Sequence, residues 1–232
     1  MIAIFAGLIL MISCKKSDIA LPKSEANIDS IASKYYEGYL KMYPLEATMQ
    51  GDSRYNDLLS NNISSEFISK EIEFYTNTQK KLKSIDYDDL SDEQKTVYDV
   101  LDYTLKDKIE RYAYHPELLP FSQFEGLPLD FPLLGSAEGN QPFKTTKDYD
   151  NWLKRIDAFV IWMNTAEKNF REGMKQNVVL PKKLVVKMIP QMHSEEIITE
   201  DFDKNIFYGP IKKMPKNFSA KDKEKYKILY QE

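Results

Sequence analysis

The sequence predicts an all-α fold: a multi-helix array crossed by one long, proline-rich ordered segment. Three observations predict it. Apolar residues recur at steps of three and four along most of the 232 residues. Serine and threonine capping signals stand at the start of several of those stripes. Only eight glycines are present, so tight turns are few and long helices are favoured.

From about Ile28, the positions Ile28, Ile31, Ala32, Tyr35, Tyr39 and Met42 fall on one helical stripe, which Pro44 interrupts after Tyr43. Gly51-Asp52-Ser53-Arg54-Tyr55-Asn56-Asp57 is rich in turn residues and reads as a loop. Ser64 or Ser65 caps a second helix to about Lys83, with Phe67, Ile68, Ile72, Tyr75 and Leu82 facing inward. Ser91-Asp92-Glu93-Gln94 is a capping box, and the helix it opens carries Val97, Leu101, Leu105 and Ile109.

Residues 115–143 differ. Pro116, Pro120, Pro128, Pro132 and Pro142, with Gly126, Gly135 and Gly139, are interleaved with Leu118, Leu119, Phe121, Phe124, Phe131 and Leu134. That is too much proline for a helix and too much apolar surface for a solvent loop, so an ordered segment packed over the helices is expected. Thr145 then caps the longest helix, with Tyr149, Trp152, Leu153, Ile156, Phe159, Val160, Met163, Phe170 and Met174 inward as far as Gln176. Pro181 suits a first helical position before Leu184, Val185, Met188 and Ile189, and Pro190 disturbs that helix. Residues 201–218 read as irregular. Ser219 caps a last helix that runs to Glu232 with no residue to stop it, so the sequence is expected to be cut inside an element.

Hydrophobic residues make up 42% and charged residues 29%, too apolar for a disordered chain. The net charge of −4 comes without any basic stripe, so nucleic acid is not expected as a partner. The alternating Lys221-Asp222-Lys223-Glu224-Lys225 reads as a solvated helix face.

The first residues carry an export signal. Ile2 to Ile12 is apolar, and eleven residues of helix rise only about 16 Å, short of a ~30 Å hydrocarbon core. That length suits the apolar region of a signal peptide. Met11-Ile12-Ser13-Cys14 resembles a bacterial lipobox, with Cys14 as the residue to be lipidated. Two features depart from the pattern: Met11 stands where leucine is commoner, and no basic region precedes the apolar run. The expected organisation is a lipoprotein signal peptide over 1–13, a flexible tether over 14–24 and a helical domain over 25–232. The expected location is the cell envelope, with a lipid anchor in the membrane. With one cysteine, no intramolecular disulfide can form.

Catalytic motifs are sparse. His115 and His193 are the only histidines, and neither has a histidine four residues away, as the zinc pattern His-Glu-x-x-His requires. His193-Ser194-Glu195-Glu196 has half the look of a metal pair, but a surface histidine near a helix end is the plainer reading. No Gly-x-Ser-x-Gly elbow, glycine-rich phosphate loop or Cys/His pair is present. No catalytic, cofactor or metal residue is assigned in this chain.

Four stretches taken in order resemble the bacterial family known as domain of unknown function 885. The first is Tyr39-Leu40, Pro44, Ala47-Thr48 and Gly51 to Asp57; the second is Leu118 to Gln123 with Gly126. The third is Tyr149 to Arg155; the fourth is Arg171-Glu172-Gly173-Met174 followed by Val178-Val179-Leu180-Pro181. The resemblance implies an exported, largely helical protein similar to zinc metallopeptidases of the cleft-forming kind. It further implies that zinc and its His-Glu-x-x-His ligands belong to a C-terminal half, so that this chain is the incomplete half of a larger helical cleft-forming fold.

On that likeness, the chain is the substrate-cleft portion of a peptidase-type lipoprotein and is inactive alone. Asp52, Arg54, Tyr55, Gln123 and Gly126 are the candidates to face a peptide; Arg54 could grip a carboxylate with two hydrogen bonds. The alternative for Asp52 and Arg54 is that they pair with each other and fix their loop. The alternative for the whole chain is a non-catalytic helical envelope lipoprotein that binds peptides or glycans, or one that is purely structural.

Overall fold

The computed structural model describes residues 27–231. The signal-peptide, lipobox and tether expectations, Cys14 included, fall outside the described residues. Among those described, the chain forms nine α-helices joined by loops and short 3₁₀ turns, with no strand. None of these helices is long and apolar enough to cross a membrane.

Helix α1 (Ile28–Met42) begins where the Asn27 side chain accepts from the Asp29 amide at 2.8 Å. It ends at Tyr43, because Pro44 has no N–H to continue the ladder and its fixed φ instead opens α2 (Pro44–Met49). Helix α3 (Ser65–Leu82) starts from Ser64, whose hydroxyl accepts from the Phe67 amide at 3.2 Å. Helix α4 (Asp92–Glu110) starts from the Ser91–Gln94 capping box.

Helices α1, α3 and α4 bury Ile28, Ile31, Tyr75, Leu82, Leu101 and Leu105 in a shared core, each large apolar side chain stabilising by about 1.5–3 kcal/mol. Val97, expected inside, is 38% exposed. A strict four-residue spacing advances about 40° per step on a helix of 3.6 residues per turn, so the row slides off the buried face.

The proline-rich segment is ordered but not wholly non-helical. Helix α5 spans Leu127–Gly135, with Pro128 in its first turn, where the missing N–H costs nothing, and Pro132 inside. Packing holds this short helix despite Pro132: Phe131 stacks on Trp152 at 4.6 Å and on Phe159 at 4.2 Å.

Helix α6 (Thr146–Lys175) is the spine, opened by a Thr145–Asp148 capping box. Its first turns pack through Tyr149 on Ile211, Phe218 and Tyr226, from α8 (Gly209–Lys212) to α9 (Ala220–Leu229). Farther along, Trp162 and Ala166 pack on Ile63. The partners change along its length, so the buried face turns: Val160 and Met174, expected inside, are exposed, whereas Asn151, Arg155 and Trp162 are buried.

Chain exit from α6 requires Gly173. A Cβ there would come within 2.7 Å of the Val178 carbonyl and 3.0 Å of the Leu118 carbonyl. Helix α7 (Lys182–Met192) starts after Pro181, which caps it rather than entering it, and Pro190 is accommodated inside the helix. None of its residues is buried. In α9, Lys221, Glu224 and Lys225 are exposed, as a solvated face requires.

Candidate functional site

A cleft of about 710 Å³ opens where the ends of α1 and α4, the loop before α3, the 116–127 segment and the middle of α6 meet. Its first wall is Tyr39 and Tyr43, the last residues of the α1 stretch, followed by Pro44, Leu45 and Glu46. The two tyrosine rings lie 4.9 Å apart.

Behind that wall sits Glu71, fully buried on the inward stripe of α3. Three tyrosine hydroxyls donate to its carboxylate. Tyr75 reaches Oε1 at 2.5 Å, Tyr43 shares the same oxygen, and Tyr112 donates to Oε2. No cation forms an ion pair with Glu71 among the described residues. Burial first, and then Glu71, push the Tyr43, Tyr75 and Tyr112 phenols well above their ordinary value, so they stay donors throughout the physiological range.

The second wall comes from the end of α4 and two 3₁₀ turns: Lys108, Arg111, Tyr112, Pro116 and Glu117. The Arg111 guanidinium lies over the Tyr112 ring, 5.6 Å from its centre. His115 joins the two turns in the left-handed conformation, with φ 50° and ψ 53°, a strain of about 1–2 kcal/mol for a residue with a Cβ. That reversal brings Glu117 to the cleft, with its Oε1 3.1 Å from His115 Nδ1. Its Oε2 has no hydrogen-bond partner among the described residues.

The loop wall is fixed by α6. Trp162 Nε1 donates to Asn62 Oδ1 at 2.8 Å, Asn61 Nδ2 donates to Thr165 Oγ1 at 2.8 Å, and Asn169 Nδ2 donates to the Ile63 carbonyl at 2.8 Å. Facing this wall are Phe121, Ser122, Glu125 and Gly126. Gly126 has φ 126°, and a Cβ on it would come within 2.4 Å of Phe121 Cβ. Only glycine lets the chain double back there.

Of the residues singled out in the sequence, Gly126 lines the cleft. Gln123 is beside it, its carbonyl accepting from the Gln191 side chain at 3.1 Å. Asp52, Arg54 and Tyr55 are not among the lining residues. Arg54 is bound by Asp52 through Nε (2.9 Å) and Nη2 (2.6 Å), and by Glu37 at 2.7 Å. Arg54 holds the Asp52 carboxyl below its ordinary range. The Tyr55 carbonyl accepts from Arg155 at 3.1 Å.

Arg155, the last residue of the third family-like stretch, is not among the site residues expected from the sequence. Fully buried, it donates through Nε to the Leu58 carbonyl at 3.0 Å, through Nη2 to Thr48 Oγ1 at 2.7 Å, and through Nη1 to Gln141 Oε1. Burial lowers the guanidinium to about 10, which leaves it a cation at neutral pH. Arg155 on α6 and Glu71 on α3 each continue an apolar stripe at steps of three and four. A charged residue in such a register is the sign that marks both. Glu117 and Trp162 carry no comparable sign.

The fold and the site define a class: an all-α array with an open, aromatic-walled cleft and a buried carboxylate behind it. The chain belongs to the family described as "Bacterial protein of unknown function (DUF885)", which matches residues 44–231. No curated protein and no solved structure matches it. The stretches that carry the family likeness meet in space. Arg155 of the third bonds Thr48 and Tyr55 of the first, and Gly173 of the fourth packs on Leu118 of the second.

Proposed function

We propose that these helices supply the substrate cleft of an exported, lipid-anchored protein of the zinc-metallopeptidase type, and that a peptide lies in the cleft. The observation that carries the reading is the cleft itself. Its volume of about 710 Å³ falls in the range of small-ligand sites, roughly 300–1,000 Å³. Its walls combine aromatic rings with a few charged groups, as peptide side chains and backbone require.

Zinc does not fit the described residues of this chain. Among the described residues, no three histidine, cysteine, aspartate or glutamate side chains come together to hold a metal. The role proposed for these residues is therefore to hold and orient the peptide, with any metal chemistry supplied by a segment carrying its own ligands. The anchor is proposed at Cys14, and mass spectrometry of the cellular protein reads it directly: a mature chain with unmodified Cys14 removes it.

Hydrogen exchange with and without unmodified tripeptides tests the cleft. The reading predicts added protection in residues 59–63 and 116–126, and none around Glu37 and Arg54. Protection absent from the cleft segments contradicts it.

A further inference from the structure

Charge is unevenly spread along the cleft. Glu46, Glu117 and Glu125 line it with Lys108 and Arg111, and Glu71 adds a fourth carboxylate just behind. Of the two cations, Arg111 is held against the Tyr112 ring. Neither cation forms an ion pair within 4.0 Å of Glu46, Glu71 or Glu117 among the described residues. Three carboxylates thus surround the Tyr39–Tyr43–Tyr112 wall. Their fields are felt there: Glu46 pushes the Tyr39 phenol up, and Glu71 and Glu117 push that of Tyr112, each adding to the effect of burial. In a low-dielectric wall such fields act more strongly than in water.

Glu117 is the lining carboxylate with a buried oxygen that lacks a hydrogen-bond partner among the described residues. One oxygen faces His115 and the other receives no hydrogen bond among the described residues, while the side chain as a whole is 21% exposed. Rotation about the last glutamate torsion, which is broad and nearly two-fold, presents either oxygen to the cleft. Carboxylates of this kind normally gather donors; Oε2 is itself buried, so a donor from the cleft meets the exposed part of the Glu117 side chain, or Oε2 after that rotation.

We infer that the cleft takes a primary ammonium group of its ligand against the Tyr43–Tyr112 wall, with Glu117 as the carboxylate that accepts from it. The aromatic faces and the buried Glu71 add attraction for a cation. Lys108 and Arg111, like charges in the same lining, oppose it. The inference rests on the peptide-cleft reading and sharpens it, since a peptide carries such a group at its amino terminus or on a lysine side chain.

Isothermal titration of the full chain with three probes tests this. Ala-Ala-Ala-amide has a free amino terminus, N-acetyl-Ala-Ala-Ala-amide has no cation, and N-acetyl-Ala-Ala-Lys-amide has only the side-chain ammonium. At least one ammonium probe is expected to bind tenfold or more tightly than the neutral peptide, and the one that does identifies the source of the group. Glu117→Gln is expected to erase that preference, and its circular-dichroism spectrum reports whether the variant is folded. Lys108→Gln is expected to strengthen ammonium binding several-fold, an arm that does not depend on Glu117→Gln folding. Equal binding of neutral and ammonium probes overturns the inference but leaves the peptide cleft standing. A preference that survives Glu117→Gln overturns it as well. Binding of none of the three removes the cleft reading and this inference together.

Discussion

Arg155 on α6 donates a 2.7 Å hydrogen bond to Thr48 on α2, 107 residues away in the chain. The same guanidinium reaches the Leu58 and Tyr55 carbonyls and Gln141, so one side chain holds the spine helix to the segment that follows the tyrosine wall of the cleft. Position of that wall relative to α6 depends on it.

Arg155→Lys is expected to be non-conservative. A lysine ammonium cannot reproduce the planar fork, and each buried acceptor left without a donor costs about 1–3 kcal/mol. Urea denaturation should show a loss of roughly 2–4 kcal/mol on that basis. Arg54→Ala, which breaks exposed pairs with Glu37 and Asp52, should shift the midpoint far less. Equal shifts would show that Arg155 is not the tie described.

Tyr112→Phe removes the donor to Glu71 Oε2 and keeps the ring in the cleft. The expected cost is about 1–3 kcal/mol, read by thermal or urea unfolding. A neutral result would mean that Glu71 finds another donor.

Gly173→Ala tests the crossing of α6 with the 118 and 178 segments. In an unobstructed helix this change stabilises by about 0.5–1 kcal/mol. Here the new Cβ meets carbonyl oxygens at 2.7 and 3.0 Å, so the sign should reverse, with a loss of roughly 1–3 kcal/mol from overpacking. A raised melting temperature would contradict the packing.

Alkaline pH should unfold the protein. Burial raises Tyr35 and Tyr149 to about 12 and pushes Tyr43, Tyr75 and Tyr112 higher. A phenol with a raised value in the folded state keeps its proton while the unfolded chain, titrating near pH 10, gives its proton up. Stability from these groups is therefore complete below about pH 10 and is lost as pH climbs above it. Arg155, lowered to about 10, acts in the opposite sense above that pH, but the tyrosines outnumber it. Denaturation midpoints that stay level from pH 8 to 10 and fall beyond are expected; a rise above pH 10 would contradict the assignment.

Helices were legible in the sequence because caps and spacing act locally. Ser64, Ser91, Thr145 and Ser219 each cap the helix they precede. What was not legible is set by partners distant in the chain. Helix α5 forms around Pro132 because Phe131 has Trp152 and Phe159 to stack on. Glu117 becomes a cleft residue only because His115 turns the chain between two 3₁₀ turns. Asp52 and Arg54 pair with each other, the alternative their sequence offered, whereas the second partner of Arg54, Glu37, is a neighbour that the local sequence does not contain.

The protein has two tryptophans, and they report on different places. Trp162 lines the cleft, while Trp152 is buried among Phe131, Phe143 and Phe207. Their indole N–H resonances, followed by nuclear magnetic resonance during titration with Ala-Ala-Ala-amide, test the cleft most directly. Movement of the Trp162 signal with that of Trp152 unchanged is the predicted result. No movement of Trp162 at saturating peptide, or movement of Trp152 alone, would contradict the account.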